Sequence, residues 1–445
     1  MSAPGSELIP QKTNIVREML AGLVTFMTMA YILFVQPTVL STDFSGQATG
    51  LDAGAVLLAT CVSSAIASLL MGWLARLPVA LAPGMGQNFF FVSVIMTLAA
   101  RGFAHPAQTA LGIVLIAGFL FLLLSLTGIR AAILNALSPS LRSSVAVGIG
   151  ALIAFIGLKN GGVIADAPSL VALDTARLLS AEAAVFWTGL LVTLGLTVRR
   201  IPGAVLAGLT AATAMAAING TLEIPAVVGL PKIKTHAAFA FDVPAAFSVT
   251  CLPFIIVFLF MDVFDTMGTL VGVTQQAGLM QDGRIPRLKQ AMIADSLGTV
   301  VGAVLGTSTV TSYIESAAGV QQGGRTGLTA ITVAVLFLLA LPFSPLITAV
   351  GSCLPITAPA LVVVGAMMFS NVRQIDWDDE TEAIPAFLII LGIPLFFSIA
   401  DGMALGFIAW PLLKLMRGRP REASWLMYIM AAALVIYFLY FRMRV

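Results

Sequence analysis

The sequence predicts an all-α, polytopic membrane protein, and three observations carry that prediction. Hydrophobic residues make up 59% of the 445-residue chain and charged residues only 10%, against roughly 25% charged in a soluble domain. The mean hydropathy is +1.01. The apolar residues come in long unbroken runs of about 20, the length that crosses a bilayer as a helix. So few charges cannot cover a water-facing surface, which excludes a soluble enzyme, a nucleic-acid-binding domain and a disordered chain. Transmembrane barrels alternate apolar and polar residues, so the long runs exclude that class too.

Taken in order, the runs fall at 17–40, 54–75, 107–127, 143–158, 182–198, 203–219, 249–276, 288–305, 325–342, 356–371, 384–400 and 402–416. Two further segments, 80–100 and 307–322, are interrupted by Gly, Pro or polar residues. Counting them as the third and tenth gives about 14 membrane elements. A last apolar run, 424–441, is extra and either spans or lies in the interface. Met1 to Thr13 is polar and the first run is long enough to span, so the N-terminus does not read as a cleaved signal. Cys61, Cys251 and Cys353 lie in apolar surroundings and read as inert core thiols. His105 and His236 have no ligand spacing, so neither a metal nor an organic cofactor is expected.

Short cytoplasmic loops are rich in Lys and Arg. With the N-terminus inside, beside Lys12 and Arg17, the inner loops hold Arg76, Arg130, Arg199, Arg200, Arg284, Arg287, Lys289, Arg373, Arg417, Arg419 and Arg421. The opposite side receives Arg101, Lys159, Arg177, Lys232, Lys234 and, near a broken helix, Arg325. The bias predicts an inner-membrane or plasma-membrane protein with a cytoplasmic N-terminus. Arg442 and Arg444 would lie outside if the last run spans.

Fourteen elements divide into two sets of seven, and the broken third and tenth then correspond. Each reads as an extended stretch followed by a short helix, with Asn88 near the start of one and Glu315 near the start of the other. A looser match joins Asn135–Leu141 to Thr348–Leu354. Irregular backbone at membrane depth survives only where protein or a water-lined cavity satisfies its N–H and C=O groups. Paired broken segments therefore point to a midplane transport site, with half-helix N-termini offering donors to a ligand.

Carboxylates confirm where to look. Asp262 and Asp265 are embedded in the eighth span, three residues apart and on one helix face, and Glu315 lies in the tenth. An ionisable group at the bilayer centre costs roughly 2.5–3.5 kcal/mol on insertion scales, so such residues mark pathways and sites. A carboxylate there accepts N–H bonds from a flat heterocycle and can carry a proton. Asp295 and Ser296 are weaker candidates among Gly298, Gly302 and Gly306, and Asp401 reads as a turn residue. Phe89, Phe90 and Phe91 follow Asn88, and one of them can stack on a planar ligand. Thr25 and Thr28 of the first span lie within reach of the same region. Gly323–Gly327 lacks the ending of a phosphate loop and reads as a turn. No nucleophile–base set is available, so the chain is not expected to be an enzyme.

Four stretches, Gly22–Val35, Ala82–Phe90, Asp262–Val273 and Gly306–Val320, resemble the nucleobase–ascorbate transporter superfamily, and within it the adenine/guanine/hypoxanthine (azaguanine-type) permease branch. The resemblance runs to about Arg419. It implies two inverted seven-helix repeats, with a core domain at 17–127 and 245–342 and a gate domain at 128–220 and 343–416, between a cytoplasmic N-terminus at 1–16 and a C-terminal segment at 417–445. It implies proton-coupled purine import by an elevator-like movement, often in a homodimer. By position Asn88, Asp262 and Glu315 match substrate-binding residues, and Asp265 matches a nearby acidic position linked to function. Asp262, Asp265 and Glu315 are the expected proton carriers, and backbone groups around Gly86, Tyr313 and Ile314 complete the expected pocket. One departure is Gln87, where the family usually carries an apolar residue, often Leu. Expected partners are a purine base, protons and the lipid bilayer, with no nucleic acid. The rival readings are another nucleobase (xanthine or uracil), an anion, a membrane-embedded enzyme or an ion channel.

Overall fold

A computed structural model of the chain describes residues 14–437 apart from 45, 128–137, 168–169, 224–225, 234–237 and 281–283. Lys12, Arg130, Lys234, His236, Arg442, Arg444 and the first three residues of the Asn135–Leu141 stretch lie outside the described residues. Among the described residues, eight helices are long and apolar enough to cross a membrane.

The first predicted span is two helices, α1 (Ile15–Met29) and α2 (Tyr31–Ser41), which meet at Ala30. Asn14 caps α1 by accepting from the Arg17 N–H. The chain continues through α3 (Ala53–Leu70), prolonged by a π turn at Met71–Ala75, to a strand β1 (Leu81–Pro83), α4 (Met85–Ala100) and α5 (Pro106–Thr127). Next come α6 (Pro139–Asn160), a hairpin β2 (Ile164–Ala167) and β3 (Leu170–Leu173), α7 (Ala181–Val198), α8 (Ala204–Ile218) and a short α9 (Val243–Ala246). The second part holds α10 (Leu252–Gln276), α11 (Leu288–Leu305), β4 (Val310–Ser312), α12 (Ser316–Gln321) and α13 (Gly327–Ala340). It ends with α14 (Ser344–Ser352), α15 (Leu354–Phe369), α16 (Glu380–Phe396), α17 (Ile399–Met416) and α18 (Trp425–Tyr437). The hairpin and α14 have no counterpart in the predicted runs. Asp401 is a correction: it lies in the first turn of α17, and the turn itself is made by Phe397 in the left-handed region and Ser398, whose hydroxyl caps the helix at the Asp401 N–H.

The two interrupted segments do contain strands, and the strands pair with each other. β1 and β4 run antiparallel with Leu81 opposite Ser312, Ala82 opposite Thr311 and Pro83 opposite Val310. Antiparallel pairing starts α4 and α12 from opposite ends of this short ribbon. The pairing also resolves the chemical problem of extended backbone at membrane depth. Ribbon N–H and C=O groups bond across the pair, Gly84 N–H donates to Thr309 O at 3.0 Å, and Tyr313 N–H donates to Ala80 O at 2.9 Å. Ser68 of α3 closes the outer edge, bonding Leu81 N–H at 2.9 Å. Gly306 makes the sharp turn from α11 to β4 with a φ of 101°, a conformation that side chains with a Cβ resist.

Packing groups the helices. α11 lies against α5 and α3, α13 against α3 and α1, and α10 against α5, α12 and β4. Separately, α6 lies against α15 and α16, α7 against α8, and α16 against α17. Small residues allow the close approaches: a Cβ on Gly327 would overlap the Gly72 backbone, and one on Gly150 would lie 2.7 Å from Gly365 O.

Glu18 corrects the predicted position of Arg325. The buried Glu18 carboxylate of α1 accepts from Arg325 N–H at 3.0 Å, Thr326 N–H at 3.2 Å and the Thr329 hydroxyl at 2.5 Å, capping α13. Arg17 Nε donates to Gln322 O at 3.2 Å. Arg325 therefore shares the end of the molecule that holds Arg17, not the opposite end. The half-helix α12 returns the chain to that end.

Candidate functional site

The site is built around the β1–β4 ribbon, where the N-termini of α4 and α12 are set by the strands and α10 passes alongside. Asp262 and Asp265 are both on α10 but meet different surroundings. Asp262 is buried, and its Oδ2 accepts from the Thr299 hydroxyl of α11 at 2.7 Å, while Oδ1 has no hydrogen-bond partner among the described residues. Thr299 also lies 3.0 Å from Val310 O, so it links α11 to β4. Asp265 is exposed, with Gln87 Nε2 donating to its Oδ2 at 3.3 Å. Gly268, Val271 and Gln275 continue that exposed stripe along α10, and open space stands over Gly268. A carboxylate is kept off hydrocarbon by its hydration cost, so we read this stripe as the wall of an aqueous cleft.

Glu315 borders the same cleft. It is half-buried and its Oε1 accepts from the Tyr31 hydroxyl at 2.9 Å. Thr28 Oγ1 lies 3.4 Å from its backbone carbonyl. Ile314 is 53% exposed and forms a wall beside Gly272, whose absent side chain keeps the cleft open. On the other side, the Arg142 guanidinium of α6 stands over the Phe264 ring at 5.4 Å.

Several residues singled out in the sequence serve the frame. Asn88 is fully buried, donates to Gln36 Oε1 and accepts from the Ser308 hydroxyl, so both ends of its amide are engaged. Asp295 accepts from Thr266 at 2.7 Å and Ser312 at 2.8 Å, fastening α11 to α10 and β4. Tyr313 is buried and its hydroxyl donates to Pro83 O at 2.5 Å across the ribbon. A Cβ on Gly86 would lie 3.1 Å from Ile149 of α6, so Gly86 is a close-approach point between α4 and α6. Thr25 is buried against Gly319 of α12. Phe89 stacks on Phe44, while Phe90 and Phe91 contact Phe258, so the three rings fill the interior.

Sequence reasoning missed Tyr31, Gln36, Thr299, Gly268 and Gly272. A signal existed for some of them. Gln36 is a polar residue inside an apolar run, and Gly268 and Gly272 follow Asp265 at three and seven residues, one helix face. Thr299 and Tyr31 carry no such mark. The described residues contain no group of His, Cys, Asp and Glu side chains fit for a metal, and all three cysteines are free thiols. An apolar groove of about 490 Å³, lined by residues such as Leu115, Phe119, Val243 and Leu252, touches none of the acids.

Comparison with known proteins gives the family. The model of the Permease family (Xan_ur_permease) matches residues 16–439. A putative permease of Methanocaldococcus jannaschii, MJ0326, is 46% identical over 431 residues, covering 96% of each chain. The guanine/hypoxanthine permease PbuG of Bacillus subtilis is 42% identical, covering 97% of this chain and 98% of its own. The adenine permease AdeP of Escherichia coli is 37% identical over 94% of this chain and 92% of its own. Among solved structures, the transmembrane domain of a cyanobacterial bicarbonate transporter, BicA, superposes with a TM-score of 0.64 at 16% identity, over 88% of this chain and 98% of that one. At that identity the likeness is one of fold, shared also with the anion transporter SLC26A9 at a TM-score of 0.65, 12% identity and coverage of 91% of this chain and 66% of that one. The chain belongs to the Permease family: it is a multi-pass membrane permease, not an enzyme.

Proposed function

We propose that this permease imports purine nucleobases (adenine, guanine or hypoxanthine) in symport with protons across the cytoplasmic membrane. The observation that carries the reading is the pair of carboxylates, Asp265 and Glu315, bordering one cleft at the ribbon where two half-helices begin. A purine is flat and presents N–H donors on its edge. Two carboxylates accept those donors, and the side-chain-free face at Gly268 and Gly272 leaves room for the ring plane. The relatives named as guanine/hypoxanthine and adenine permeases support a purine cargo.

In this reading Asp265 and Glu315 hold the base, while Asp262 and Asn88 act through the frame that positions them. Binding proton and base in one carboxylate network gives the coupling a physical basis, since each ligand offsets the repulsion that opposes the other. The first packing group forms a core and the second, α6–α8 with α15–α17, a gate against which the core moves, within fourteen elements arranged as inverted repeats and with the N-terminus inside. Antiparallel pairing of the two broken segments supports that symmetry. An anion cargo, suggested by the bicarbonate transporter's fold, is disfavoured by acids at the same crossing.

The test is uptake of radiolabelled adenine, guanine, hypoxanthine, xanthine and uracil in cells lacking their own permeases, with and without a protonophore. Protonophore-sensitive accumulation of a purine is the expected result. Failure of correctly inserted protein to take up any purine overturns the reading.

A further inference from the structure

Gln87 stands in the first turn of α4, one residue before Asn88. Its amide is only 2% exposed. Nε2 donates to Asp265 Oδ2 at 3.3 Å, and Oε1 has no hydrogen-bond partner among the described residues. Oε1 lies against Gly84, where any Cβ would overlap it, with Thr311 close by. The glycine thus makes room for a buried carbonyl that is left without a donor, a costly arrangement unless the oxygen is used in another state of the site.

The groups around Asp265 show what that state is. The Thr311 hydroxyl of β4 lies 3.1 Å from the hydroxyl of Thr266, the residue after Asp265. Asp262 lies one turn away on the same helix, Asp295 of α11 accepts from Thr266 beside it, Glu315 follows β4, and Arg142 of α6 stands over the neighbouring Phe264 ring. A charged Asp265 needs donors, and a protonated one needs an acceptor for its O–H. An amide offers both, at nearly superposable positions, about a terminal torsion that is broad and roughly two-fold.

We infer that Gln87 is a positioning residue for proton coupling, donating to Asp265 while that carboxylate is charged and turning its amide to accept the O–H once it is protonated. The inference rests on the proton–purine symport proposed above. The proton enters on Asp265 from the outer aqueous side with the base and leaves to the inner side; no other bond forms or breaks. A leucine or methionine at this position has similar bulk but serves neither state.

The full chain in proteoliposomes separates coupling from binding. Counterflow exchange of a labelled purine needs no net proton movement, whereas accumulation driven by an imposed pH gradient does. For both Gln87→Leu and Gln87→Met, the ratio of accumulation to counterflow is expected to fall about tenfold from wild type. A wild-type ratio in both Gln87 variants, or an equal loss of both activities, overturns the inference. If the wild-type protein exchanges purines without responding to the pH gradient, coupling itself falls. If it exchanges none, the transport reading falls, and this inference falls with it.

Discussion

Asp262 and Asp265 show how one helical turn divides two roles. Thr299 meets Asp262 at 2.7 Å in the interior, whereas Asp265, bonded by Gln87 at 3.3 Å, stays exposed. The proposed base site therefore predicts that Asp265→Asn and Glu315→Gln each abolish accumulation of labelled purine; normal uptake by both variants sinks the assignment. Asp295 belongs to the frame. Replacing it with Ala strands the buried hydroxyl of Ser312 and leaves Thr266 only the Thr311 hydroxyl at 3.1 Å, at about 1–3 kcal/mol for an unsatisfied group. Asp295→Ala is thus expected to lower the melting temperature of the detergent-solubilised protein, and an unchanged melting curve contradicts that role. The sequence marks all of these acids as embedded. It cannot rank them, because a spacing of three leaves both Asp262 and Asp265 on one broad face, and only the position of α11 decides which is covered.

Helices and strands here are cut to start two half-helices from one short ribbon. The breaks in the third and tenth segments are legible from Pro, Gly and Thr/Ser runs, yet the pairing of β1 with β4 joins residues more than two hundred positions apart and follows from packing alone. Glycines perform two tasks that look identical in sequence. Gly272 borders the open cleft next to Ile314, whereas Gly327 of α13 sits on the Gly72 backbone. Gly272→Leu is expected to abolish uptake while the protein still inserts and melts near the wild-type temperature, helped by the better helix propensity of Leu. Gly327→Val is expected to reduce folded protein severely, because a Cβ there meets backbone that cannot move aside. Size-exclusion profiles and uptake of the two variants, measured side by side, check both outcomes.

The whole molecule is tied at one end by a charge cluster. Lys414, with its side chain 4% exposed, lies 2.9 Å from both Glu382 and Glu422, and Arg417 meets Asp379 at 2.6 Å. Ser138 and Trp410 also donate to Glu382, so α6, α16, α17 and the C-terminal segment share one clasp. Hydrogen bonds from the Thr381 hydroxyl and N–H hold the Asp379 carboxyl below its ordinary value, and the Lys414 hydrogen bond does the same for Glu422. Depressed carboxylates stabilise the clasp above the ordinary carboxylate range and lose that contribution as pH falls through their lowered values. Cleavage of the 417–424 segment by an acid-tolerant protease is therefore expected to rise as pH drops from about 5 to about 3, and flat kinetics across that window refute the clasp. By itself the sequence determined that this chain is helical, membrane-embedded and broken at two places, because hydropathy and helix-breaking residues act over a few turns. Tertiary structure alone decided that Asn88 is locked by Gln36 and Ser308, that Arg325 returns to the Arg17 end, and that Asp265 stays exposed while Asp262 is buried. Those outcomes depend on which distant helix covers each polar group, and a linear pattern of hydropathy carries no record of that.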